Sequence, residues 1–186
     1  MSEFRILGIS GSLRKGSHNT AALRAAAELA PEGVTVAIYE GLGEIPPYND
    51  DVRVASGYPA PVEAFRAAVR AADAVIFATP EYNYSISGVL KNAIDWASRP
   101  PEPSFDGKAV SIMGATQGLL GTARAQYDLR KMCVFLNAHA LNKPEVMIAQ
   151  SGSKFDEGGR LTDDTTRKLI AGQVAALRDW ALQLRK

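Results

Sequence analysis

The stretch of sequence that decides the fold is RILGISGSLRKGSHN, residues 5–19. A short apolar run ends at Ile9, a loop rich in glycine, serine and asparagine follows at once, and a helical pattern then starts at Thr20. In doubly wound α/β proteins such a loop joins the first strand to the first helix, and its amides face an anion beyond the strand ends. The stretch therefore predicts a phosphate-binding α/β fold.

The rest of the chain repeats this alternation of strand and helix. Short runs rich in valine and isoleucine are typical of parallel strands that are buried on both faces. The strands are predicted at Arg5–Ile9, Thr35–Tyr39, Ala74–Thr79, Ala109–Gly114 and Glu145–Ala149. The helices are predicted at Thr20–Ala30, Ala60–Ala72, Gly88–Ala97, Ala123–Ala138 and Asp163–Leu184. This pattern predicts one α/β domain over residues 1–186, with helices on both faces of a five-stranded parallel sheet. Two long loops rich in proline and glycine, Gly41–Pro59 and Arg99–Asp106, are either functional rims or flexible decoration.

The composition limits the classes of partner. With 21 Lys and Arg against 20 Asp and Glu, the net charge of +1 argues against nucleic acid as a partner and against a strongly acidic electron carrier. No apolar run approaches the roughly 18 residues that cross a bilayer, and nothing at the N-terminus reads as a signal peptide. One cysteine and two histidines are too few for an internal disulfide or a zinc cluster, and Cys133 lies in an apolar helical stretch typical of a core. We therefore expect a cytoplasmic protein that does not associate with a membrane and binds no metal ion.

The loop after the first strand has the composition of an anion site. Glycines allow close approach of the backbone, and Arg14 offers a positive charge. Hydroxyl and amide donors stand at Ser10, Ser12, Ser17 and Asn19. His18 either adds positive charge to the anion-binding site or points to solvent. The alternative is a solvated turn in which Ser17 or Asn19 only caps the helix.

This loop differs from the common nucleotide-binding motifs. A P-loop has lysine after its second glycine, but here Ser17 follows Gly16. The dinucleotide fingerprint G-x-G-x-x-G fails because Ser10 stands between Gly8 and Gly11, and the nucleophile elbow G-x-S-x-G lacks its final glycine. A single terminal phosphate on a small cofactor fits best.

A second polar loop follows the third predicted strand. It reads TPEYNYSISG, residues 79–88, and leads into the helical segment VLKNAIDW, residues 89–96. If this strand neighbours the first where the strand order reverses, both loops face one crevice. Backbone amides, the Asn83 amide and the rings of Tyr82 and Tyr84 would then suit a flat heteroaromatic ring. Alternatively, the tyrosines cap the core and Asn83 makes a turn.

Together the two motifs resemble those of the NAD(P)H-dependent FMN reductase family, and within it the bacterial chromate and quinone reductases. The resemblance is carried by GSLRKGS at 11–17 with Asn19 after it, by PEYNYS at 80–85 and by LKNAIDW at 90–96. It extends from residue 5 to about residue 150. It implies a flavodoxin-like three-layer sandwich with strand order 2-1-3-4-5, with FMN bound and NAD(P)H as cosubstrate.

The resemblance also implies where the cofactor lies. It assigns the FMN phosphate to the loop after the first strand, the isoalloxazine ring to the loop after the third, and closure of the site to the loop after the fourth. The implied cofactor-binding residues are Ser10, Ser12, Arg14, Ser17, His18, Asn19, Pro80, Glu81, Tyr82, Asn83, Tyr84, Thr116, Gln117 and Gly118. No side chain is expected to be catalytic, since the flavin carries the hydride.

The expected activity is transfer of hydride from NAD(P)H through FMN to a small-molecule acceptor. The acceptors that the resemblance implies are quinones, flavins, azo compounds and metal oxyanions such as chromate. Two alternatives stay open: an FMN electron carrier of the flavodoxin type without its own NAD(P)H turnover, and a nucleotide-binding regulator.

The resemblance implies a dimer or a tetramer, and we expect a homotetramer built as a dimer of dimers. Its contact residues are Arg124, Tyr127 and Glu145. Arg124 and Tyr127 are three apart and share one helical face, while Glu145 begins the fifth predicted strand. The alternative is an ordinary exposed pair of Arg124 and Glu145 within one chain, which contributes about 0–1 kcal/mol.

Overall fold

A computed structural model describes residues 3–185 as one parallel sheet between two layers of helices. The strands are β1 (Phe4–Ser10), β2 (Val34–Tyr39), β3 (Ala74–Ala78), β4 (Ala109–Ala115), β5 (His139–Ala140) and β6 (Val146–Ile148). Their order is β2-β1-β3-β4-β5, and β6 also pairs with β4. The predicted flavodoxin-like order 2-1-3-4-5 is therefore confirmed, and β1 lies between β2 and β3 where the order reverses.

Helices cover both faces of the sheet. They are α1 (His18–Glu28), α2 (Asp50–Ser56), α3 (Ala60–Ala71), α4 (Gly88–Ala97), α5 (Ala123–Phe135) and α6 (Asp164–Leu184). On one face, α1 and α6 bury residues such as Leu23 and Val174 against the sheet. On the other, α3, α4 and α5 enclose a core that contains Phe65, Phe77 and Trp96. No helix within residues 3–185 combines the length and hydropathy needed to cross a membrane.

The fifth position of the sheet differs from the prediction of one strand at Glu145–Ala149. Two short strands occupy it: β5 pairs with the start of β4, and β6 pairs with its end. Pro144 stands between them and has no N–H to donate to the ladder, so it interrupts the edge of the sheet. The helix predicted to reach Ala138 ends at Phe135, which leaves His139 and Ala140 free to form β5.

The first long loop also contains structure that its composition hides. Within Gly41–Pro59 lie a 3-10 turn at Gly41–Glu44 and the helix α2. Asn49 caps α2, because its side chain accepts the N–H of Asp51 at 2.9 Å. Proline and glycine at both ends of the segment mask this one short helix in the sequence.

The second long loop, Arg99–Asp106, has no helix or strand but is firmly held. Arg66 of α3, only 2% exposed, points its guanidinium into the loop and stacks over the Tyr58 ring at 3.9 Å. It donates to the carbonyl oxygens of Ala97, Arg99, Pro101 and Glu102. Because the buried Arg66 guanidinium donates to four backbone carbonyls, the Arg99–Asp106 loop is not the flexible segment that the alternative describes.

Candidate active site

A cavity of about 210 Å³ opens at the carboxyl ends of β1, β3 and β4. The loops after these three strands form it, together with the turn after β6. Its lining residues are Ser12, Arg14, Ser17, His18, Asn19, Pro80, Glu81, Tyr82, Ala115, Thr116, Gln117 and Ser151. Ten of the fourteen predicted cofactor-binding residues therefore meet at one place. Ala115 and Ser151 were not predicted, and the predicted Ser10, Asn83, Tyr84 and Gly118 do not line the cavity.

Ser10 supports the loop from beneath. Its Oγ accepts the N–H of Ser12 at 3.3 Å and lies 2.8 Å from Oγ1 of Thr20, so β1, the loop and α1 are joined at one hydroxyl. It is only 7% exposed. Ser10 therefore stabilises the loop after β1, residues 11–17, and does not line the cavity.

Gly11 brings the loops after β1 and β3 together. A Cβ at this position would lie 3.0 Å from Pro80 Cδ and 3.1 Å from Ser87 Oγ, which is closer than ordinary packing allows. The Gly11 carbonyl accepts the Ser87 hydroxyl at 2.6 Å, and the Gly11 N–H donates to Ala78 at 2.8 Å. A side chain here would push the two loops apart.

The amino end of α1 faces the cavity. Ser17 caps the helix by accepting the N–H of Thr20 at 3.3 Å, as the capping alternative requires. The earlier N–H groups, at His18 and Asn19, have no partner inside a helix and carry its positive dipole end. Arg14 forms no ion pair among residues 3–185, so its charge is available beside these amides. One anionic group fits this donor set well.

The side chain of Asn19 is already engaged inside the protein. Its Nδ2 donates to the Ala115 carbonyl at 3.0 Å, and its Oδ1 accepts the Ala115 N–H at 2.9 Å. Asn19 is 4% exposed, so both bonds are shielded from water. The amide fastens α1 to the end of β4. Its side chain holds two walls of the cavity together, and its backbone N–H is the group that remains for an anion.

His18 is the least expected lining residue. Its Nδ1 lies 2.8 Å from the Ser151 hydroxyl, and its ring stacks on Phe155 with centroids 4.6 Å apart. Burial, and secondly the charge of Arg14, lower the pKa of His18 below its ordinary value. Burial therefore favours the neutral imidazole. The ring joins the turn after β6 to the loop after β1, and it stacks on Phe155 rather than pointing to solvent.

The loop after β3 closes into a tight turn. Tyr82 and Ser85 exchange backbone hydrogen bonds of 2.9 and 3.1 Å, with Asn83 and Tyr84 between them at φ 50° and 70°. Tyr82 lines the cavity and is 54% exposed, so its ring is accessible to a ligand. Neither Tyr82 nor Tyr84 caps the core.

Glu81 and the three residues of the implied tetramer contact take unexpected partners. The Glu81 carboxylate, whose side chain is 8% exposed, lies at the cavity wall and accepts from the guanidinium of Arg124. Glu145 instead lies 4.0 Å from Arg130. The alternative of an Arg124–Glu145 pair within one chain is therefore wrong, because Glu81 occupies Arg124. Tyr127 is 52% exposed.

Cys133 is a core residue, as its apolar neighbours in the sequence predict. Cys133 is buried, and burial raises the pKa of its thiol to about 11. No group of three or more potential metal ligands occurs in the described part of the chain.

The fold is that of a flavodoxin-like protein, and its cavity lies at the strand ends beside the amino end of α1, where doubly wound folds commonly bind phosphate groups. The family model for NADPH-dependent FMN reductase matches residues 4–153. The chain is 57% identical over 183 residues to an NAD(P)H-dependent FMN reductase of Pseudomonas aeruginosa, covering 98% of both chains. It is 42% identical over 182 residues to the quinone reductase of Escherichia coli K12, covering 97% of both.

Among solved structures, it is similar to the flavoenzyme FerB, an NAD(P)H:(acceptor) oxidoreductase from Paracoccus denitrificans. The TM-score is 0.86 at 33% sequence identity, covering 97% of this chain and 98% of that one. The chain therefore belongs to the NADPH-dependent FMN reductase family. It is an oxidoreductase whose cofactors are FMN and NAD(P)H.

Proposed function

We propose that this protein reduces quinones with electrons from NAD(P)H, using FMN bound in the cavity at the amino end of α1. The observation that carries the proposal is the cavity itself. There Arg14, which forms no ion pair within residues 3–185, and the first amides of α1 meet beside an accessible Tyr82. The 42% identity to a quinone reductase over 97% of both chains supports the class of acceptor.

The residues present fit the two ends of FMN. Arg14, the hydroxyls of Ser12 and Ser17 and the amides of α1 would hold one terminal phosphate. Pro80 and Tyr82 offer an apolar surface for the ring on the opposite wall. When bound, FMN supplies the two-electron chemistry that links NAD(P)H oxidation to reduction of an acceptor. The protein itself would bind FMN, orient its ring and leave one side of the site open to the acceptor.

Steady-state turnover without any partner protein is the decisive test. We expect the purified protein to release FMN on denaturation and to oxidise NADPH or NADH when a quinone is added. An FMN electron carrier would show the flavin spectrum without this turnover, and a nucleotide-binding regulator would show neither. Absence of turnover with every quinone tried would refute the proposal.

Other acceptors belong to the same experiment. We propose that free flavins, azo compounds and chromate are also reduced, because Tyr82 is 54% exposed at a cavity open to solvent and the reaction needs no side-chain acid. A panel of these acceptors, compared by kcat/KM, ranks them. Rates no faster than those of free FMN would exclude an acceptor from the enzyme's range.

We also propose a homotetramer in which α5 takes part in the contact between chains. Large apolar side chains stand exposed on this helix: Tyr127 at 52%, Val134 at 83% and Phe135 at 77%. Light scattering should give about 80 kDa, four times the 19.9 kDa chain. Tyr127→Phe or Glu145→Ala should shift the mass to about 40 kDa with FMN retained, because the family resemblance implies that the Tyr127 hydroxyl and the Glu145 carboxylate form hydrogen bonds across the contact. A wild-type dimer would contradict this role for Tyr127 and Glu145.

A further inference from the structure

Helix α5 begins without a cap of its own. Thr122, the residue before it, has a left-handed backbone with φ 66° and makes no capping hydrogen bond, and the first turn contains no acidic residue. Glu81 fills this place from the loop after β3. Its Oε2 accepts the N–H groups of Arg124 and Ala125 at 3.2 and 3.3 Å. A carboxylate at a helix amino end satisfies free N–H groups and opposes the dipole.

Arg124 extends this contact back to the same loop. Its guanidinium pairs with Oε1 of Glu81 and also lies over the ring of Tyr84, with Cζ 3.7 Å from the ring centroid. Glu81 directly precedes the Tyr82–Ser85 turn, and Tyr84 is the third residue of the turn. Arg124 therefore contacts this segment at two points, by an ion pair at Glu81 and by a cation–π contact at Tyr84.

The Tyr82–Ser85 turn has a backbone conformation that its sequence does not favour. Asn83 and Tyr84 both have positive φ, and such two-residue turns normally contain glycine at the second position. Tyr84 is 69% exposed, so no core packing holds it there. The stacking of Arg124 is the contact that favours this conformation over an extended one.

We propose that Glu81 and Arg124 are positioning residues that hold the Tyr82–Ser85 turn, and with it the Tyr82 ring, against the flavin cavity. This inference rests on the proposed function for its consequence, because Tyr82 is the part of the turn that lines the cavity. It assigns Glu81 to α5 rather than to the cofactor, and Arg124 to its own chain rather than to a neighbour.

The experiment compares two pairs of variants. Arg124→Met removes the ion pair and the stacked charge, and Lys168→Met removes an exposed cation from α6, far from the turn in sequence, as a control. Tyr84→Ala removes the ring, whereas Tyr84→Phe keeps it, and both keep a Cβ in the left-handed conformation. The Tyr84 variants leave the cap of α5 intact, so they test the proposal even if Arg124→Met does not fold.

Two quantities are measured. In flavin-free protein, hydrogen exchange at the Tyr82 and Ser85 amides should become about tenfold faster in Arg124→Met and Tyr84→Ala, with core strands unaffected. Affinity for riboflavin and for FMN should fall by the same factor, about tenfold, because the ring side of the site is loosened and the phosphate side is not. Lys168→Met and Tyr84→Phe should match the wild type.

The outcomes separate the possible roles. Unchanged exchange at both amides in Tyr84→Ala, or a loss for FMN without a loss for riboflavin, would overturn the positioning role. So would an altered molecular mass in Arg124→Met with normal riboflavin binding, since that result would place Arg124 between chains. If the wild type bound neither flavin, the proposed function would fail, and the exchange rates would still decide what holds the turn.

Discussion

The amide of Asn19 should be one of the most sensitive single groups in the protein. It forms two hydrogen bonds to Ala115, at 3.0 and 2.9 Å, in a place shielded from water. In Asn19→Ala both the N–H and the carbonyl of Ala115 lose their partner. No other described side chain donates to or accepts from them, so the strand end and the helix lose their link.

The size of the effect follows from what is left unpaired. A buried polar group without a partner costs about 1–3 kcal/mol, and two such groups are created. Removing the buried amide of Asn19 also removes its own desolvation cost, which offsets part of that loss. We expect the free energy of unfolding to fall by about 2–4 kcal/mol, well above the median for single substitutions.

Urea unfolding followed by circular dichroism measures this change. Flavin-free protein is required, because a ligand that binds only the folded state would add to its apparent stability. Asn142→Ala is the matched control, since Asn142 is exposed and its side chain makes no hydrogen bond within residues 3–185. Its effect should stay within about 0.5 kcal/mol. A loss below about 1 kcal/mol in Asn19→Ala would refute the reasoning, because the two bonds would then not be shielded.

Three further expectations concern other side chains. Arg14→Ala should weaken FMN binding by about ten- to a hundredfold, because hydrogen bonds to a charged group contribute about 1.5–3 kcal/mol. Riboflavin, which lacks the phosphate, should bind unchanged; equal loss for both ligands would show that Arg14 is elsewhere. Cys133 should not react with a thiol reagent at pH 8 until the protein unfolds, because burial raises the pKa of its thiol to about 11. Arg66→Met should lower the free energy of unfolding by about 2 kcal/mol or more, since a buried charged donor to four carbonyl oxygens is removed and hydrogen bonds to a charged group contribute about 1.5–3 kcal/mol. Arg70→Met on the same helix should cost less than about 1 kcal/mol in the same urea titration, as its contact is a surface ion pair.

Local sequence was sufficient where the determinants are local. The alternation of strands and helices and the polar loop after β1 could be predicted because their signals act over a few neighbouring positions, whereas the strand order followed from the family resemblance. Ten of the cavity's lining residues came from the same two motifs and the loop after β4. Cys133 could be assigned to the core because its neighbours are apolar.

Features that depend on distant partners could not be predicted in the same way. Ser151 enters the cavity only because the chain returns to His18 over 133 positions, and neither serine nor its flanking residues carry a motif. The engagement of Asn19 by Ala115 and of Glu81 by Arg124 likewise spans separate elements. Pro144 does mark the break in the edge strand, and it is a signal that a closer reading of strand chemistry could use.

The contact between His18 and Ser151 sets a lower limit on the length of a working fragment. An engineer who wished to reduce this chain to a minimal flavin module would be tempted to stop near Ile148, where the last strand ends. That cut would remove the turn that His18 touches and the Phe155 ring beneath it. It would also remove Gln173, whose amide donates to Ile112 and Pro144 and so joins α6 to the sheet. The chain after Ile148 therefore supports the residues that line the cavity, and a shortened module would need other contacts in its place.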